Sequence, residues 1–238
     1  MKYLFLFFLI LIGCSESKKN DSNSVAALAL LSASSNCPAG TSVTSIGGST
    51  RTQFDFTNCN PSGLPVVGFL SENLTTGLVG TGTNSRMVSL SDYKSSGSQK
   101  INMEVTFLIN SASGYLDVIG NGSVSGTAIT GPGFRITQSS ISLITSTGGT
   151  DALTGTVPSP GAIETTYCLE IHAEGAGAHM FGWPSSCSSV TNFGTYSFEK
   201  EDVTTANPGS RIGFVLNNAT LKKLIVSQSL GTAGSIQE

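Results

Sequence analysis

Alternation of apolar and polar residues runs through most of the chain after residue 37 and predicts β-strands. In the segment KINMEVTFLI, residues 100–109, the apolar side chains fall on every second position: Ile101, Met103, Val105 and Phe107. Because successive side chains of a strand point to opposite faces of a sheet, a period of two predicts a strand with one face in the core.

Similar runs recur along the chain and predict further strands: RTQFDF, PVVGFL, RMVSLS, YLDVIG, GFRIT, SISLIT, TYCLEIHA, GTYSFEKEDV, SRIGFVL and LKKLIVSQ. Turn-forming pairs such as Asn121-Gly122, Gly148-Gly149 and Asn217-Asn218 separate many of them. About a dozen short strands at this spacing favour a sandwich or barrel. A solenoid is not favoured, because the sequence has no repeat of fixed period. We therefore predict an all-β fold, an antiparallel β-sandwich in a single domain over residues 37–238.

The amino-terminal residues MKYLFLFFLILIGC are typical of an export signal. One lysine precedes an apolar run over residues 3–12, which is too short to cross a bilayer of about 30 Å. The ending Leu11-Ile12-Gly13-Cys14 resembles the lipobox of bacterial lipoproteins. The resemblance implies a signal peptide over residues 1–13, cleavage before Cys14 and lipidation of that cysteine, whose acyl chains would anchor the protein to a membrane. The alternative is an ordinary secretory signal with a chance cysteine.

Residues 14–36 are predicted to be the lipidated cysteine and a flexible tether, because SESKKNDSNS at 15–24 is polar and small. The apolar stretch VAALALL at 25–31 fits either a short helix packed on the domain or a continuation of the tether. Ser15, rather than aspartate, follows Cys14. By resemblance to envelope sorting rules, this favours the outer membrane of a bacterial cell envelope and is compatible with exposure at the cell surface.

The charge of the chain excludes one class of partner. Charged residues make up 11% of the sequence and the net charge is −3. A protein that binds nucleic acid needs a basic surface to neutralise phosphates, so no nucleic-acid partner is expected.

Four cysteines follow Cys14: Cys37, Cys59, Cys168 and Cys187. An even number in an exported chain favours disulfides, and the two separate clusters favour the pairs Cys37–Cys59 and Cys168–Cys187. Each would contribute about 3 kcal/mol on the chain-entropy model. A zinc site is the rival interpretation, but the sequence has no CxxC pair.

The carboxyl-terminal stretch PGSRIGFVLNNATLKKLIVSQ, residues 208–228, resembles the last strands of concanavalin A-like sandwiches, the fold of lectins, laminin-G modules and β-glucanases. The resemblance implies a jelly-roll sandwich whose final strand follows an Asn-rich turn and lies at the centre of a sheet. A generic jelly roll or an immunoglobulin-like sandwich is the alternative.

The segment TYCLEIHAEGAGAHMFGWPSSC, residues 166–187, holds both histidines and the only tryptophan. Its Glu170, His172 and Glu174 resemble the E-I-D-x-x-E or E-x-D-x-E strand of sandwich glucanases, with histidine in place of the family's aspartate. That resemblance implies Glu170 as nucleophile and Glu174 as acid/base of a retaining glycoside hydrolase, with carboxyl groups about 5–5.5 Å apart.

The same residues also fit a disulfide-closed hairpin whose polar side chains lie on a half-exposed face. His172 and Trp183 are then candidates for ligand binding, with Trp183 as a sugar platform or as a core residue near the disulfide. We expect this second interpretation: a non-catalytic surface module that either binds carbohydrate or an extracellular protein, or has a structural role in covering the envelope. No cofactor or metal is expected, although Asp117, Asp151 and the acids of 199–202 are candidates for calcium.

Overall fold

The computed structural model describes residues 37–46, 49–93, 100–145, 148–174, 177–202 and 208–228. The predicted signal peptide, Cys14 and the tether with residues 25–31 lie outside them. No helix among the described residues is long and apolar enough to cross a membrane.

Strands make up most of the described chain. In order they are β1 Thr41–Ile46, β2 Ser49–Asp55, β3 Phe69–Glu72, β4 Leu74–Thr75, β5 Val79–Gly80, β6 Arg86–Ser89, β7 Lys100–Ile109, β8 Tyr115–Ser125, β9 Ala128–Thr130, β10 Gly133–Thr137, β11 Ile141–Ile144, β12 Thr150–Ala152, β13 Thr154–Gly155, β14 Thr165–Glu174, β15 Gly177–Trp183, β16 Phe198–Asp202, β17 Arg211–Asn217 and β18 Ala219–Gln228. Short 3₁₀ helices cover Pro61–Val67 and Cys187–Ser189.

The strands form two antiparallel sheets. Sheet A has the order β1-β2-β18-β7-β14-β15-β16-β13, with β5 beside β18 and β4 beside β5. Sheet B has the order β12-β11-β10-β8-β17-β6-β3, with β9 beside β8. Consecutive strands cross repeatedly between the sheets, as in a jelly roll. The structure thus confirms the predicted all-β fold, an antiparallel β-sandwich.

The hydrophobic core lies between the inner faces of the two sheets. The apolar positions predicted for 100–109 all point into it, and they share one cluster with Leu169 and Ile171 of sheet A and Val118 and Phe214 of sheet B. These side chains are fully buried. The period-two pattern therefore predicts the inner face of the strand correctly. Apolar residues occupy that face because burying them away from water stabilises the sandwich.

The carboxyl-terminal strands confirm the expected layout. β17 lies in sheet B and β18 in sheet A, so the Asn217-Asn218 pair forms a corner between the sheets. Asn218 has φ 46°, a left-handed conformation that asparagine tolerates better than most residues. β18 pairs with both β2 and β7 and is an interior strand.

One predicted turn and one predicted strand were wrong. Asn121-Gly122, predicted as a turn, lies inside the continuous strand β8. Much of PVVGFL belongs to the 3₁₀ helix Pro61–Val67 rather than to a strand. The side chain of Asn60 accepts a hydrogen bond from the Ser62 N–H and caps this helix, with a proline directly after the cap. Gly68, at φ 94°, ends the helix, and β3 begins at Phe69.

Replacing Phe69 with alanine should lower the free energy of unfolding by about 3–5 kcal/mol. Phe69 is fully buried, and its ring lies 5.1 Å from that of Phe54 and 6.0 Å from that of Phe56. Val66→Ala is the control, because Val66 is 88% exposed and its truncation should change the value by less than about 0.5 kcal/mol. Urea unfolding of both variants measures the difference, and equal losses would contradict the assignment of Phe69 to the core.

Candidate functional site

The segment singled out in the sequence forms the hairpin of β14 and β15. The antiparallel register places Cys168 opposite Trp183, Glu170 opposite Phe181 and His172 opposite His179. Leu169 and Ile171, which alternate with these residues, point into the core. The hairpin is thus confirmed, and its polar residues lie on the outer face of sheet A.

This outer face is covered by the segment 184–197. The disulfide Cys168–Cys187 fastens the segment to β14, with Cα atoms 4.9 Å apart, and the pair Cys37–Cys59 is formed as well. Both predicted disulfides are therefore confirmed. The expectation of a half-exposed polar face is wrong, because Glu170 is 0% exposed and His172 is 8% exposed.

Trp183 is an anchor for the covering segment. Its indole Nε1–H donates to the carbonyl of Thr195 at 2.7 Å, and its ring packs edge-on against Phe193 and Phe181. Only 5% of Trp183 is exposed. A sugar platform needs an open ring face, so the structure does not support Trp183 as a platform; it favours the packing role.

An ion pair is buried beneath the covering segment. Arg51 of β2 and Glu104 of β7 are each 3% exposed, and Nη2 of Arg51 lies 3.1 Å from Oε2 of Glu104. The same Oε2 accepts a hydrogen bond of 2.9 Å from the backbone N–H of Cys187. A buried carboxylate is stable only when its lone pairs are occupied, so Glu104 ties the segment to the sheet.

The predicted nucleophile is inaccessible. The carboxylate of Glu170 is completely buried, with Oε1 3.5 Å from Nδ1 of His172. A nucleophile must touch the sugar carbon that it attacks, so the position of Glu170 does not fit the hydrolase interpretation. Glu174 ends β14 opposite Gly177, and its side chain lies outside the described residues.

An open pocket of about 460 Å³ lies on the same face, beside the covering segment. One row of paired residues crosses it from strand to strand: Lys100, His172, His179 and Glu201. Glu199, from the neighbouring row, and Tyr196 complete the polar lining. His172, predicted as a ligand-binding residue, is thus part of a pocket wall.

The polar groups of this pocket contact one another. Nε2 of His179 lies 3.1 Å from Oε2 of Glu199, and the rings of His172 and His179 are 5.1 Å apart in an edge-on arrangement. The ring of Tyr196 lies 5.4 Å from that of His179, also edge-on. In the sequence, these polar residues were marked only by the alternation of polar and apolar positions that predicts strands. Which residues lie side by side in the pocket followed only from the register between the strands.

The acids considered for calcium are dispersed. Asp117 accepts two hydrogen bonds from Arg135 on the outer face of sheet B, and Asp151 lies 3.3 Å from Nζ of Lys200. Burial raises the pKa of Asp117, and the hydrogen bond from Arg135 opposes that rise. Within the described ranges, no group of three or more His, Cys, Asp or Glu side chains is placed to hold a metal ion.

No protein-family model matches the sequence, and no match is found among curated proteins. Solved structures with a related fold include the Caenorhabditis elegans galectin LEC-6, at 14% identity over 55% of this chain and 84% of that one, with a TM-score of 0.34. The exoplasmic/lumenal domain of VIP36, bound to Ca²⁺ and Man2, gives 11% identity over 68% and 80%, with a TM-score of 0.42. The potassium-bound carbohydrate recognition domain of Emp46p gives 11% over 74% and 95%, with a TM-score of 0.39.

Replacing Glu104 with glutamine should lower the free energy of unfolding by about 3–5 kcal/mol, because Arg51 would be left as a buried charge without its partner. The double variant Arg51→Met with Glu104→Gln removes both charges, keeps a side-chain oxygen that can accept from the Cys187 N–H, and should recover most of that loss. Guanidinium unfolding of the three proteins tests this. A double variant no more stable than Glu104→Gln would show that the ion pair is not the source of the effect.

Proposed function

We propose that this protein is a lipid-anchored lipoprotein of a bacterial envelope whose β-sandwich binds carbohydrate without catalysing its hydrolysis. The observation that carries the binding function is the pocket on sheet A, where Lys100, His172, His179 and Glu201 stand in one row beside Tyr196.

The chemistry of the pocket suits a polyhydroxylated ligand. A sugar hydroxyl both donates and accepts hydrogen bonds, and the pocket offers carboxylate acceptors, an ammonium donor and imidazoles that do either. The ring of Tyr196 adds apolar surface for the C–H side of a sugar. A volume of about 460 Å³ lies within the roughly 300–1,000 Å³ of small-ligand sites. An extracellular protein, the other candidate, would need a larger and flatter contact.

The absence of catalysis is part of the proposal and follows from burial. Hydrolysis with retention needs two carboxyl groups that both reach the scissile bond, about 5–5.5 Å apart. Glu170, the predicted nucleophile, has no exposed surface. Glu199, which does line the pocket, is engaged by His179.

The anchor is proposed from the sequence Leu11-Ile12-Gly13-Cys14. A lipid on Cys14 would hold the tether of 14–36 at the membrane and leave the sandwich on the aqueous side, with the outer membrane as the proposed location. Two or more acyl chains make such binding stable, whereas one alone binds reversibly.

Cys14→Ser should abolish incorporation of labelled palmitate and release the protein from the membrane pellet, because the thiol that carries the lipid is lost. Ser15→Ala is the control and should remain in the pellet with its label. The measurement is metabolic labelling followed by fractionation in a bacterial host that processes lipoproteins. A Cys14→Ser protein that still carries palmitate would contradict the anchor.

Glu201→Gln should weaken glycan binding by about 10-fold to 100-fold, the value of one charge-assisted hydrogen bond of roughly 1.5–3 kcal/mol. Glu164→Gln is a matched control, because Glu164 is exposed and does not line the pocket. A glycan array identifies the sugar bound by the wild type, and titration calorimetry then compares the variants. A wild type that binds no glycan, or equal affinities for the two variants, would contradict the proposal.

A further inference from the structure

The outer face of sheet B carries an apolar row that crosses six strands. Read through the strand pairings, the row contains Leu70, Val88, Gly213, Ile119, Gly133 and Ile144. Ile129 of β9 folds over this row and joins its large side chains in a cluster separate from the core. A Cβ on Gly213 would lie 2.9 Å from Cδ1 of Ile129, so glycine makes room for that packing.

The next row along the same face is charged. It contains Arg86, Val215, Asp117, Arg135 and Ser142. Nε and Nη2 of Arg135 each donate to Asp117 at 2.7 Å, and the guanidinium lies 4.2 Å from the centre of the Tyr115 ring. The guanidinium of Arg135 is thus held along one edge by the Asp117 carboxylate and on one face by the Tyr115 ring.

A pocket of about 130 Å³ lies between the two rows, lined by Ile119, Ile129, Ile144, Val215, Asp117 and Arg135. In the apolar row, Gly133 stands between Ile119 and Ile144 and contributes no side chain. A Cβ on Gly133 would lie 2.5 Å from the carbonyl oxygen of Val118, so a larger residue there would collide with the neighbouring strand. The close approach of the two strands therefore requires glycine at this position.

We propose that this pocket binds a compact neutral molecule with an apolar body of about six heavy atoms and one hydroxyl or carboxamide group. An apolar protein cavity of about 150 Å³ holds benzene, which sets the size of the body. The isoleucine side chains would cover that body. The polar group would face the ion pair, where Asp117 can accept and Arg135 can donate a hydrogen bond.

The charge of the ligand follows from the pair. Asp117 and Arg135 line the pocket together. A charged ligand would therefore be attracted by one of these groups and repelled by the other. It would also lose its hydration without a free counter-charge, which is costly. A neutral ligand avoids both effects. This site lies on the other sheet from the carbohydrate pocket and does not depend on the proposed function.

Cyclohexanol is the probe, titrated into the full chain labelled with ¹³C at the isoleucine δ1 methyl groups. We expect saturable NMR shifts of the Ile119, Ile129 and Ile144 methyls. The methyls of Ile171, in the core, and Ile163, on the exposed surface, should not shift. This pattern locates the site in the wild type and needs no variant.

Val215→Phe should weaken cyclohexanol binding by about tenfold or more, because the larger side chain fills the pocket. Val66→Phe makes the same change at an exposed position and should leave binding unaltered. Cyclohexylamine and cyclohexanecarboxylate should each bind about tenfold or more weakly than cyclohexanol.

Two results would overturn the inference. Shifts that grow linearly without saturation, or that spread equally to Ile163 and Ile171, would show that no site exists. Charged analogues that bind as tightly as cyclohexanol would show that the ion pair does not select a neutral ligand. If Val215→Phe does not fold, the wild-type shifts and the analogue series still decide the matter.

Discussion

The Glu104 carboxylate connects parts of the chain that are far apart in sequence. It receives the guanidinium of Arg51 from β2 and the backbone N–H of Cys187 from the segment that covers sheet A. All of these groups are buried. If the covering segment left the sheet, the Glu104 carboxylate would lose its hydrogen bond from the Cys187 N–H and the ion pair would be exposed to water. The disulfide Cys168–Cys187 and the hydrogen bond from Trp183 to Thr195 also attach the covering segment to sheet A.

This cover decides what sheet A offers to other molecules. It packs on part of the outer face, and its Tyr196 borders the open pocket that Lys100, His172, His179 and Glu201 line. In sequence β14 resembles a hydrolase strand, but in the structure its Glu170 is buried and its His172 forms part of a pocket wall.

Sheet B uses its outer face in a different way. An apolar row lies beside a charged row, and the glycine at 213 lets Ile129 pack closely over the apolar one. The small pocket between the two rows is lined by isoleucine, valine and threonine side chains and, on one side, by the fixed pair of Asp117 and Arg135. The pockets of the two sheets therefore differ both in the residues that line them and in volume, about 130 Å³ on sheet B and about 460 Å³ on sheet A.

Much of the fold was predictable from local patterns. The apolar positions of 100–109 and of 166–173, the Asn217-Asn218 corner and both disulfides follow from period, turn chemistry and cysteine spacing. The helix at Pro61–Val67 was missed because its apolar run resembles a strand, and the Asn60 cap that distinguishes it is a single residue. Strands such as β1 and β12 were missed because they are short and largely exposed, so no buried face marks them.

The sequence by itself determined the all-β class, the inner faces of the strands and the cysteine pairs, since each depends on residues close together or on a repeating period. Only the tertiary structure decided that the polar face of β14 is buried and that Trp183 is an anchor. It also brought residues from four strands together in one pocket on sheet A. The physical reason is that burial on the outer face depends on a segment folding back over the sheet. Which side chains share a row depends on the register between strands. The periodicity of a single strand specifies neither this register nor the burial of its outer face.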